Sequence, residues 1–410
     1  MQYIGIDIAK HVHTVAVRMG DGAPHGKSVE FSNDEAGFKA LLERFRELEV
    51  DAGDCIVAME STGHYWMALY AFLVDYGYPV AVVNPILTDA FRKADTVRKT
   101  KTDLIDAFLI AEFARFKRLA PSSVPPELAD GLKQLTRYRA HLVEERTMLK
   151  NRATAVLDRL FPELARCAGG MGSATTRALI REFGTPEAIA ATNIRTVEKV
   201  VREASHGRFG REKADEVKAL AKRSVGSPFA AGALSFEARH ITALIDHIDG
   251  EVAALEAEIA RMLADSPAEL LLSIPGIGPA SAATIAAEVG SPERFDDPKK
   301  LVAYAGLDSS KSQSGKFEGD REHMSKRGSS YLRYALMNAA DKARQHDPYF
   351  GDYYDSMVAR GKHHYVALSG VARKLCGVIL AVMRENRPYE KRPSIQSQQQ
   401  KPESGSQAEK

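Results

Sequence analysis

Residues 3–17, YIGIDIAKHVHTVAV, predict how the first part of the chain folds. Two apolar runs, Tyr3–Ile8 and His13–Val17, are separated by a short polar segment, which is typical of a β-hairpin. Asp7 lies inside the first run, where a charge is costly unless it is paired or bound to a metal. The stretch therefore predicts two adjacent strands with a carboxylate near the end of the first one.

The neighbouring sequence extends this pattern. Three further strands are predicted, at Lys27–Phe31, Cys55–Met59 and Pro79–Val83. Helices are predicted between them at Asn33–Leu48, capped by Asn33 or Ser32, and at Tyr65–Tyr76, ending near Gly77. Strands followed by mixed strands and helices indicate an α/β domain in which an antiparallel hairpin joins a parallel portion.

Three more acidic residues complete a candidate catalytic site. Glu60 closes the apolar run of CIVAMESTGHYW (55–66), and the other two are three residues apart in KTDLIDAFLIAEFAR (101–115), on one face of a predicted helix. Carboxylates gathered at strand ends repel one another unless a cation joins them, and Mg²⁺ prefers oxygen ligands beside phosphate. The predicted catalytic and Mg²⁺-binding acids are Asp7, Glu60, Asp103 and Asp106.

Length and composition set broad bounds. A chain of 410 residues is expected to form two or three domains, and 44% hydrophobic with 27% charged residues is typical of a soluble protein. Three widely spaced cysteines without a CxxC pair argue against zinc and against a disulfide framework. No signal peptide opens the chain, and no apolar run approaches the ~20 residues that span a bilayer. The sequence therefore predicts a cytoplasmic protein without a membrane partner.

Basic residues are concentrated locally, although 56 Lys and Arg against 54 Asp and Glu leave a net charge of only +2. Residues 91–118 contain eight Lys or Arg against four acids, and residues 132–160 contain seven against three. Such stripes suit phosphate binding, but each could also be a solvated helix face, and the first could pair with its own acids. The candidate nucleic-acid contacts in these stripes are Lys99, Lys101, Arg137, Lys150 and Arg152.

Two long helices are predicted in the middle of the chain. In the first, apolar residues recur every seven positions, although Arg139 and Arg146 fall at the second seam position. In the second, apolar spacings alternate between four and three, from Ile241 to Met262. The two helices are expected to pack as an antiparallel coiled coil or to pair with copies in other subunits. The helical insertion between them, about residues 166–235, suggests no function.

Residues 268–290, AELLLSIPGIGPASAATIAAEVG, predict a helix–hairpin–helix. Gly276 and Gly278 would let the backbone approach a phosphate closely, and the next helix would offer unpaired N–H groups at its N-terminus. The same pattern also fits a plain packing hairpin, so the two glycines are candidate nucleic-acid contacts rather than assigned ones.

A polar loop rich in serine and cations follows. Serine is a poor nucleophile unless one group accepts its proton and another neutralises the phosphate, and cations can do the second. Composition alone favours a flexible phosphate clamp without a nucleophile. Its candidate phosphate contacts are Lys316, Lys326 and Arg327.

Several segments together resemble one protein family, the insertion-sequence transposases that combine a RuvC-like DEDD domain with a C-terminal serine-bearing domain. They are also known as bridge-RNA-guided recombinases. The resemblance extends from residue 1 to about residue 380. One departure is Asp308 after Gly306-Leu307, where the family often has Pro. The matching segments are GIDIAKHVHTVAV, AMESTGHYW, KTDLIDAFLIA, SIPGIGPASAATIAAEVG, AYAGLDSSKSQSGK and MSKRGSSYLRYAL.

The resemblance implies a DNA transposase that excises and integrates its element by strand exchange. It implies that Ser314, with Ser312 and Ser325 as alternatives, attacks DNA and forms a phosphoserine link. It also implies a homo-oligomer, dimer or tetramer, in which the acidic domain of one subunit meets the serine domain of another. DNA ends, target DNA and a noncoding guide RNA are the implied partners, and Mg²⁺ is the implied cofactor.

The expected domains are a ribonuclease-H-like, RuvC-like α/β domain (1–120) and a coiled-coil region with the insertion (121–265). A mainly α-helical serine transposase domain with the helix–hairpin–helix (266–385) and a disordered tail (386–410) would follow. Two other functions remain open: an Mg²⁺-dependent, junction-resolvase-like endonuclease and a non-catalytic nucleic-acid scaffold. The clustered acids argue against the scaffold, because negative charge near phosphate does not help a passive binder.

Overall fold

The computed structural model describes residues 1–95, 103–122, 127–264, 266–310, 313–314, 317–318 and 323–391. The chain divides into two compact units, Met1–Val124 and Pro125–Lys410.

The first unit contains a five-stranded mixed sheet. Its order is β3-β2-β1-β4-β5, in which β1, β2 and β3 are antiparallel neighbours and β1, β4 and β5 are parallel neighbours. This arrangement confirms the predicted hairpin joined to a parallel portion. The elements are β1 (Gln2–Asp7), β2 (Val12–Met19), β3 (Val29–Ser32), α1 (Glu35–Glu47), β4 (Cys55–Glu60), α2 (Trp66–Asp75), β5 (Val80–Val83), α3 (Pro85–Asp95) and α4 (Asp103–Lys117).

Apolar side chains cover both faces of this sheet. One face packs against α1 and α2, because Ile4 and Ile6 of β1 share a core with Phe45 and Leu73. The other face packs against α4. The N-cap of α1 is Asp34, whose carboxylate accepts the Gly37 N–H, so the predicted caps, Asn33 and Ser32, are wrong by one or two positions.

The second unit is mostly helical. Its helices are α5 (Glu127–Leu160), α6 (Pro162–Ala168), α7 (Ala174–Glu182), α8 (Pro186–Ala191), α9 (Ile194–Ala204), α10 (Arg211–Lys222), α11 (Ala231–Ala264), α12 (Pro279–Val289), α13 (Pro298–Tyr304), α14 (Ser330–His346), α15 (Pro348–Ala359) and α16 (His364–Glu385). Four two-residue strands lie between α13 and α14: β6 (Ser309–Ser310), β7 (Gln313–Ser314), β8 (Phe317–Glu318) and β9 (His323–Met324).

The two 34-residue helices α5 and α11 pack against each other within one chain. They run antiparallel, because Arg139 pairs with Glu256 and Arg146 with Asp249, so that positions rise along α5 as they fall along α11. The two arginines that interrupted the predicted seam therefore make ion pairs across the coiled coil. The structure confirms the first of the two predicted packings.

Each end of the coiled coil enters a different core. Leu132, Ile259 and Leu263 pack with the helices of residues 279–385, whereas Leu157 and Ile241 pack with the helices of the insertion. The coiled coil therefore packs against the helices of residues 279–385 at one end and against those of the insertion at the other.

One helix, α16, is long and apolar enough to cross a membrane by length and composition, so the expectation that no such stretch exists is wrong. In the structure, 67% of its apolar stretch is buried inside the second unit. Val371, Leu375 and Ile379 belong to the same core as α12 and α14, so α16 is a central core helix.

The predicted tail begins with residues that contact this core. The Tyr389 N–H donates to the Ser273 hydroxyl at 2.7 Å, and the Tyr389 hydroxyl donates to Asp347 at 3.0 Å. Residues 386–391 are therefore part of the packed unit, and residues 392–410 lie outside the described residues.

Candidate active site

Asp7 and Glu60 end neighbouring strands of the five-stranded sheet. β1 and β4 pair in parallel, and their register brings the two strand ends side by side. Side chains alternate between the faces of a sheet. Tyr3 of β1 and Ala58 of β4 pack in the core under α4, so Asp7 and Glu60, at even spacing from them, belong to that same face.

Gly5 lets α4 lie directly on β1. A Cβ on Gly5 would come within 2.1 Å of the Ala107 carbonyl oxygen and 2.4 Å of the Ala111 nitrogen, so no larger residue fits this contact. The close approach brings Asp106, which is only 4% exposed, to the sheet face of Asp7 and Glu60. Asp103 begins α4 one turn earlier, but its side chain lies outside the described residues.

Arg92 of helix α3 forms an ion pair with Asp106. Arg92 Nη2 lies 3.3 Å from Asp106 Oδ1, and the two side chains are 26% and 6% exposed. That oxygen nevertheless accepts no hydrogen bond from the described residues. A buried carboxylate oxygen is costly without hydrogen bonds, so Asp106 has an acceptor that the described residues leave unused.

Two threonines bind Glu60. The buried Thr88 hydroxyl of α3 donates to Glu60 Oε1, and Thr62 Oγ1 donates to Oε2 at 3.4 Å. Both contacts come from neutral groups, which orient the carboxylate without cancelling its charge. Helix α3 therefore contacts two of the predicted acids, Glu60 through Thr88 and Asp106 through Arg92.

The chemistry of these residues fits a divalent cation. Among the side chains that the structure describes, no three acids, histidines or cysteines are close enough together to form a metal site. Asp103, a predicted ligand, is outside that set. Asp7 and Glu60 end neighbouring strands, and Asp106, on the helix that covers the same sheet face, has a buried acceptor without a hydrogen-bond donor. Their oxygens are of the type that Mg²⁺ binds, although these three described acids do not form a metal site by themselves.

The serine-rich segment contains two short antiparallel strand pairs. β6 pairs with β9, and β7 pairs with β8, with Ser314 opposite Phe317. The segment is therefore partly a β-hairpin rather than the loop that the sequence predicted, and Ser314 lies in its outer strand pair. The Ser314 side chain, Ser312 and Lys316 lie outside the described residues.

Asp308 ties together the two ends of this segment. Its carbonyl accepts the Ser325 N–H at 2.8 Å, and its carboxylate accepts the Ser325 hydroxyl. The hydroxyl of Ser325, an alternative nucleophile, is thereby engaged in a structural contact. The residue at which the chain departs from the family pattern thus holds the base of the hairpin.

Lys326 and Arg327 follow this base, and both are exposed. Lys326 has φ +52°, a left-handed conformation that non-glycine residues seldom adopt. The Lys326 N–H donates to the Gly306 carbonyl at 3.1 Å, which holds this conformation. Both cations therefore project into solvent beside the hairpin, where a phosphate can reach them.

A buried carboxylate joins the coiled coil to the helix that follows the hairpin. Glu288 of α12 is 1% exposed and accepts hydrogen bonds from Arg137 Nε and from the Ser329 hydroxyl, both at 2.8 Å. The Arg137 guanidinium also lies over the Tyr331 ring, 4.9 Å from its centroid. Arg137 therefore has a structural role, since its charge neutralises Glu288, and its side chain, which is 40% exposed, remains a candidate nucleic-acid contact.

Arg137→Ala is expected to lower the free energy of unfolding by about 3 kcal/mol, because it leaves a buried carboxylate without its cation. Urea unfolding followed by circular dichroism measures the change. The control is Arg152→Ala, which removes an exposed pair with Glu237 and is expected to cost less than about 1 kcal/mol. Equal losses in the two variants would contradict the structural role of Arg137.

Lys150 and Arg152 lie on the distal half of α5. Arg152 pairs with Glu237 and its side chain is 68% exposed, so its guanidinium remains accessible. Burial, together with the charge of Arg146, lowers the pKa of Lys150. Both residues remain candidate contacts, whereas Lys99 and Lys101 lie outside the described residues.

Gly276 is required for packing. It has φ +92°, and a Cβ there would come within 2.5 Å of the Ala343 nitrogen in α14. Gly278 precedes α12, and an added Cβ would meet no described atom within 4 Å. Of the two predicted phosphate contacts, only Gly278 therefore faces open space. The first helix of the predicted motif is a 3₁₀ segment, Pro267–Ser273.

The insertion contains a second copy of the glycine turn at residues 276–278. Residues 167–187, CAGGMGSATTRALIREFGTPE, and residues 273–293, SIPGIGPASAATIAAEVGSPE, share Gly, Ala, Glu and Pro at constant spacing. Gly170 and Gly276 both have positive φ, and Met171 and Ile277 are both buried. In the first copy, however, neither Gly170 nor Gly172 would bring a Cβ within 4 Å of a described atom. The insertion thus contains a second, more open helical hairpin.

Sequence reasoning missed the residues that contact the predicted acids. Thr88 and Arg92 lie four apart in TDAFR, which is the spacing of one helix face, but nothing local indicates which carboxylates they meet. Glu288 was missed because it lies in an Ala-rich helix, where an isolated acid ordinarily faces solvent. The repeated pattern did not mark it either, because the equivalent residue, Glu182, is exposed.

Two family profiles match the chain. Residues 4–162 match the DEDD transposase profile of the IS110 group, and residues 268–355 match a profile described as transposase of the IS116/IS110/IS902 family. Together the two matches cover more than half of the chain, including Asp7, Glu60, Asp106 and Ser314.

Several whole proteins are similar to this chain. An insertion element IS116 protein of Streptomyces clavuligerus is 28% identical over 402 residues, 96% of this chain and 97% of the relative. An insertion element IS900 protein of Mycobacterium paratuberculosis is 27% identical, over 94% and 96%. The pilin gene-inverting protein of Moraxella bovis is 24% identical, over 95% and 98%. These similarities extend over nearly the whole of each chain.

Proposed function

We propose that this chain, which belongs to the IS110/IS116 family of transposases, recombines DNA by strand exchange through a covalent intermediate at Ser314. The observation that carries the proposal is that Asp7 and Glu60 end neighbouring strands of a mixed sheet, on the face that is covered by the helix of the buried Asp106. The strand order and the position of these acids fit a ribonuclease-H-like nuclease fold.

Mg²⁺ held by these carboxylates would neutralise charge on a phosphate and polarise its phosphorus for attack. The residues around it have separate tasks. Thr88 and Thr62 orient Glu60, and Gly5 keeps α4 close enough to present Asp106. Arg92 balances the charge of Asp106 and would have to release it to a cation.

Ser314 is the proposed nucleophile. Its Oγ forms a bond to phosphorus as one P–O bond of the strand breaks, and the released deoxyribose oxygen takes up a proton. The hydroxyl of another strand then attacks the phosphoserine and releases the serine, so that each step exchanges one phosphodiester for another. Lys326 and Arg327, exposed beside the hairpin, would stabilise negative charge on the phosphate.

The relatives support recombination over simple hydrolysis. Three are proteins of insertion elements, and two are described as inverting a pilin gene, a rearrangement that must rejoin every strand that it breaks. We extend this to the present chain and infer that it moves its own element between DNA sites.

A guide RNA and a homo-oligomer belong to the same proposal. They rest on the resemblance of the sequence to bridge-RNA-guided recombinases. The RNA would choose the DNA sites by base pairing. A second subunit would let the acids of one chain act on the strand that is attacked by Ser314 of another.

The decisive test incubates the protein with element-end DNA, target DNA, Mg²⁺ and RNA transcribed from the flanking noncoding segment. We expect a covalent protein–DNA adduct that survives denaturation, with the modified peptide containing Ser314 by mass spectrometry. Cleavage without an adduct would instead indicate a junction-resolvase-like endonuclease. Binding without cleavage would indicate a scaffold.

A further inference from the structure

The loop between α15 and α16, together with the first two residues of α16, displays cations and aromatic rings. Its sequence is RGKHHY, Arg360–Tyr365, and every residue except the half-buried His364 is exposed. The basic stripes noted in the sequence lie elsewhere, so this loop has no part in the function derived so far. We call it the RGKHHY loop.

Backbone hydrogen bonds hold the RGKHHY loop in one conformation. The Gly361 N–H donates to the Val358 carbonyl at 2.8 Å, and Gly361 has φ +75°, as at many helix C-termini. His363 caps α16 by accepting the Tyr365 N–H. Beneath the loop, His364 Nδ1 and the Tyr354 hydroxyl are 2.7 Å apart. The exposed side chains therefore project from a fixed turn.

The cations of this loop have no carboxylate partners. The Arg360 guanidinium binds the Ser356 carbonyl and the Met357 sulfur, and neither Arg360 nor Lys362 forms an ion pair with any described residue. No Asp or Glu occurs from Ser356 to Arg384, a stretch that contains five Lys or Arg. A stretch this uniform in charge is unusual in a chain whose acids and bases nearly balance, and it attracts anions.

An exposed aromatic surface lies among these cations. Tyr365 is 64% exposed, and its ring stacks on the His363 ring with centroids 5.8 Å apart and planes 29° from parallel. The His364 ring lies 4.9 Å from the same tyrosine ring. A buried contact would have covered this ring if its role were packing within the unit.

We propose that the RGKHHY loop binds a single-stranded polynucleotide, with Arg360 and Lys362 on successive phosphates and Tyr365 stacked on an unpaired base. Strand exchange supplies such a ligand, since the DNA strands must separate, and so does a guide RNA. This inference rests on the proposed function. An acidic protein surface would satisfy the cations but would gain little from an exposed ring, whereas a single strand uses both.

Fluorescence anisotropy with labelled single strands of about 20 nucleotides tests the proposal, using DNA and RNA of one sequence and the matching duplex. Arg360→Ala/Lys362→Ala is expected to reduce the salt dependence of single-strand binding by about 1.4 log units per log unit of salt. At 0.1 M salt this corresponds to about 25-fold weaker binding. Tyr365→Ala should weaken single-strand binding about tenfold and leave duplex binding unchanged, and Tyr365→Phe should restore it.

The matched control is Lys39→Ala/Arg46→Ala, which removes two cations from α1 that pair with Glu35 and Glu43. A loss limited to RNA or to DNA identifies the strand that the loop binds. If the loop variant and the control bind alike while the wild type binds nucleic acid, the loop proposal fails and the proposed function stands. If the wild type binds no strand at all, both fail.

Discussion

Ser314→Ala is expected to abolish the covalent protein–DNA adduct and to reduce strand exchange by at least about 10⁴-fold, because it removes the oxygen that is proposed to attack. Nucleic-acid binding should remain nearly intact, since the substitution removes one oxygen from a hairpin and leaves the cations in place. Adducts are measured on denaturing gels, and exchange by the yield of the recombinant junction.

Two neighbouring serines serve as controls. Ser325 donates its hydroxyl to Asp308 at the base of the hairpin, so Ser325→Ala should slow the reaction by loosening the hairpin but should still give adducts. Ser312→Ala is also expected to give adducts. Adducts that persist in Ser314→Ala and disappear in one of the other two variants would move the nucleophile to that position.

Asp7→Asn is expected to reduce strand exchange by about 10³-fold or more, because a neutral amide is a far weaker ligand for Mg²⁺ and does not hold it against phosphate. The fold should be preserved, since asparagine is nearly isosteric and Asp7 is only partly buried at the end of β1. Adduct formation with Mg²⁺ is compared between the variant and the wild type, and thermal unfolding of both checks stability.

Asp21→Asn is the matched control, since it removes the same charge from an exposed turn of the same unit. It should exchange strands at the wild-type rate. Normal exchange by Asp7→Asn would remove the proposed metal site. Isothermal titration with Mg²⁺ gives a second readout that does not depend on DNA, because the variant should lose cation binding that the control retains.

Much of the first unit was predictable because its signals are local. Alternating apolar residues in YIGIDIAKHVHTVAV indicate strands, and the position of Asp7 in that alternation assigns it to a sheet face. The same argument assigns Glu60, at the end of its apolar run, to a sheet face. The contacts of these acids were not predictable, since Arg92 and Thr88 meet them only after α3 folds over the sheet end.

In the helical unit, too, local elements were predictable and contacts between distant elements were not. The heptads of α5 and α11 predicted two long helices, but the sequence allowed either an intramolecular or an intermolecular partner. Arg139 and Arg146 interrupt the apolar pattern of α5, and the structure shows that they form ion pairs with Glu256 and Asp249 of α11. The repeated glycine turn is readable in the sequence, because its Gly, Glu and Pro residues recur at constant spacing.

Most strands and long helices, and the apolar face of each, can be predicted from the sequence, because these properties depend on neighbours within a few positions. Three contacts became evident only from the packing of the folded chain: Arg137 neutralises Glu288, Gly276 packs against α14 and Asp106 meets Arg92. Each of these contacts joins elements that are distant in the chain. The residue types permit many such partners, and the packing of the folded units selects one.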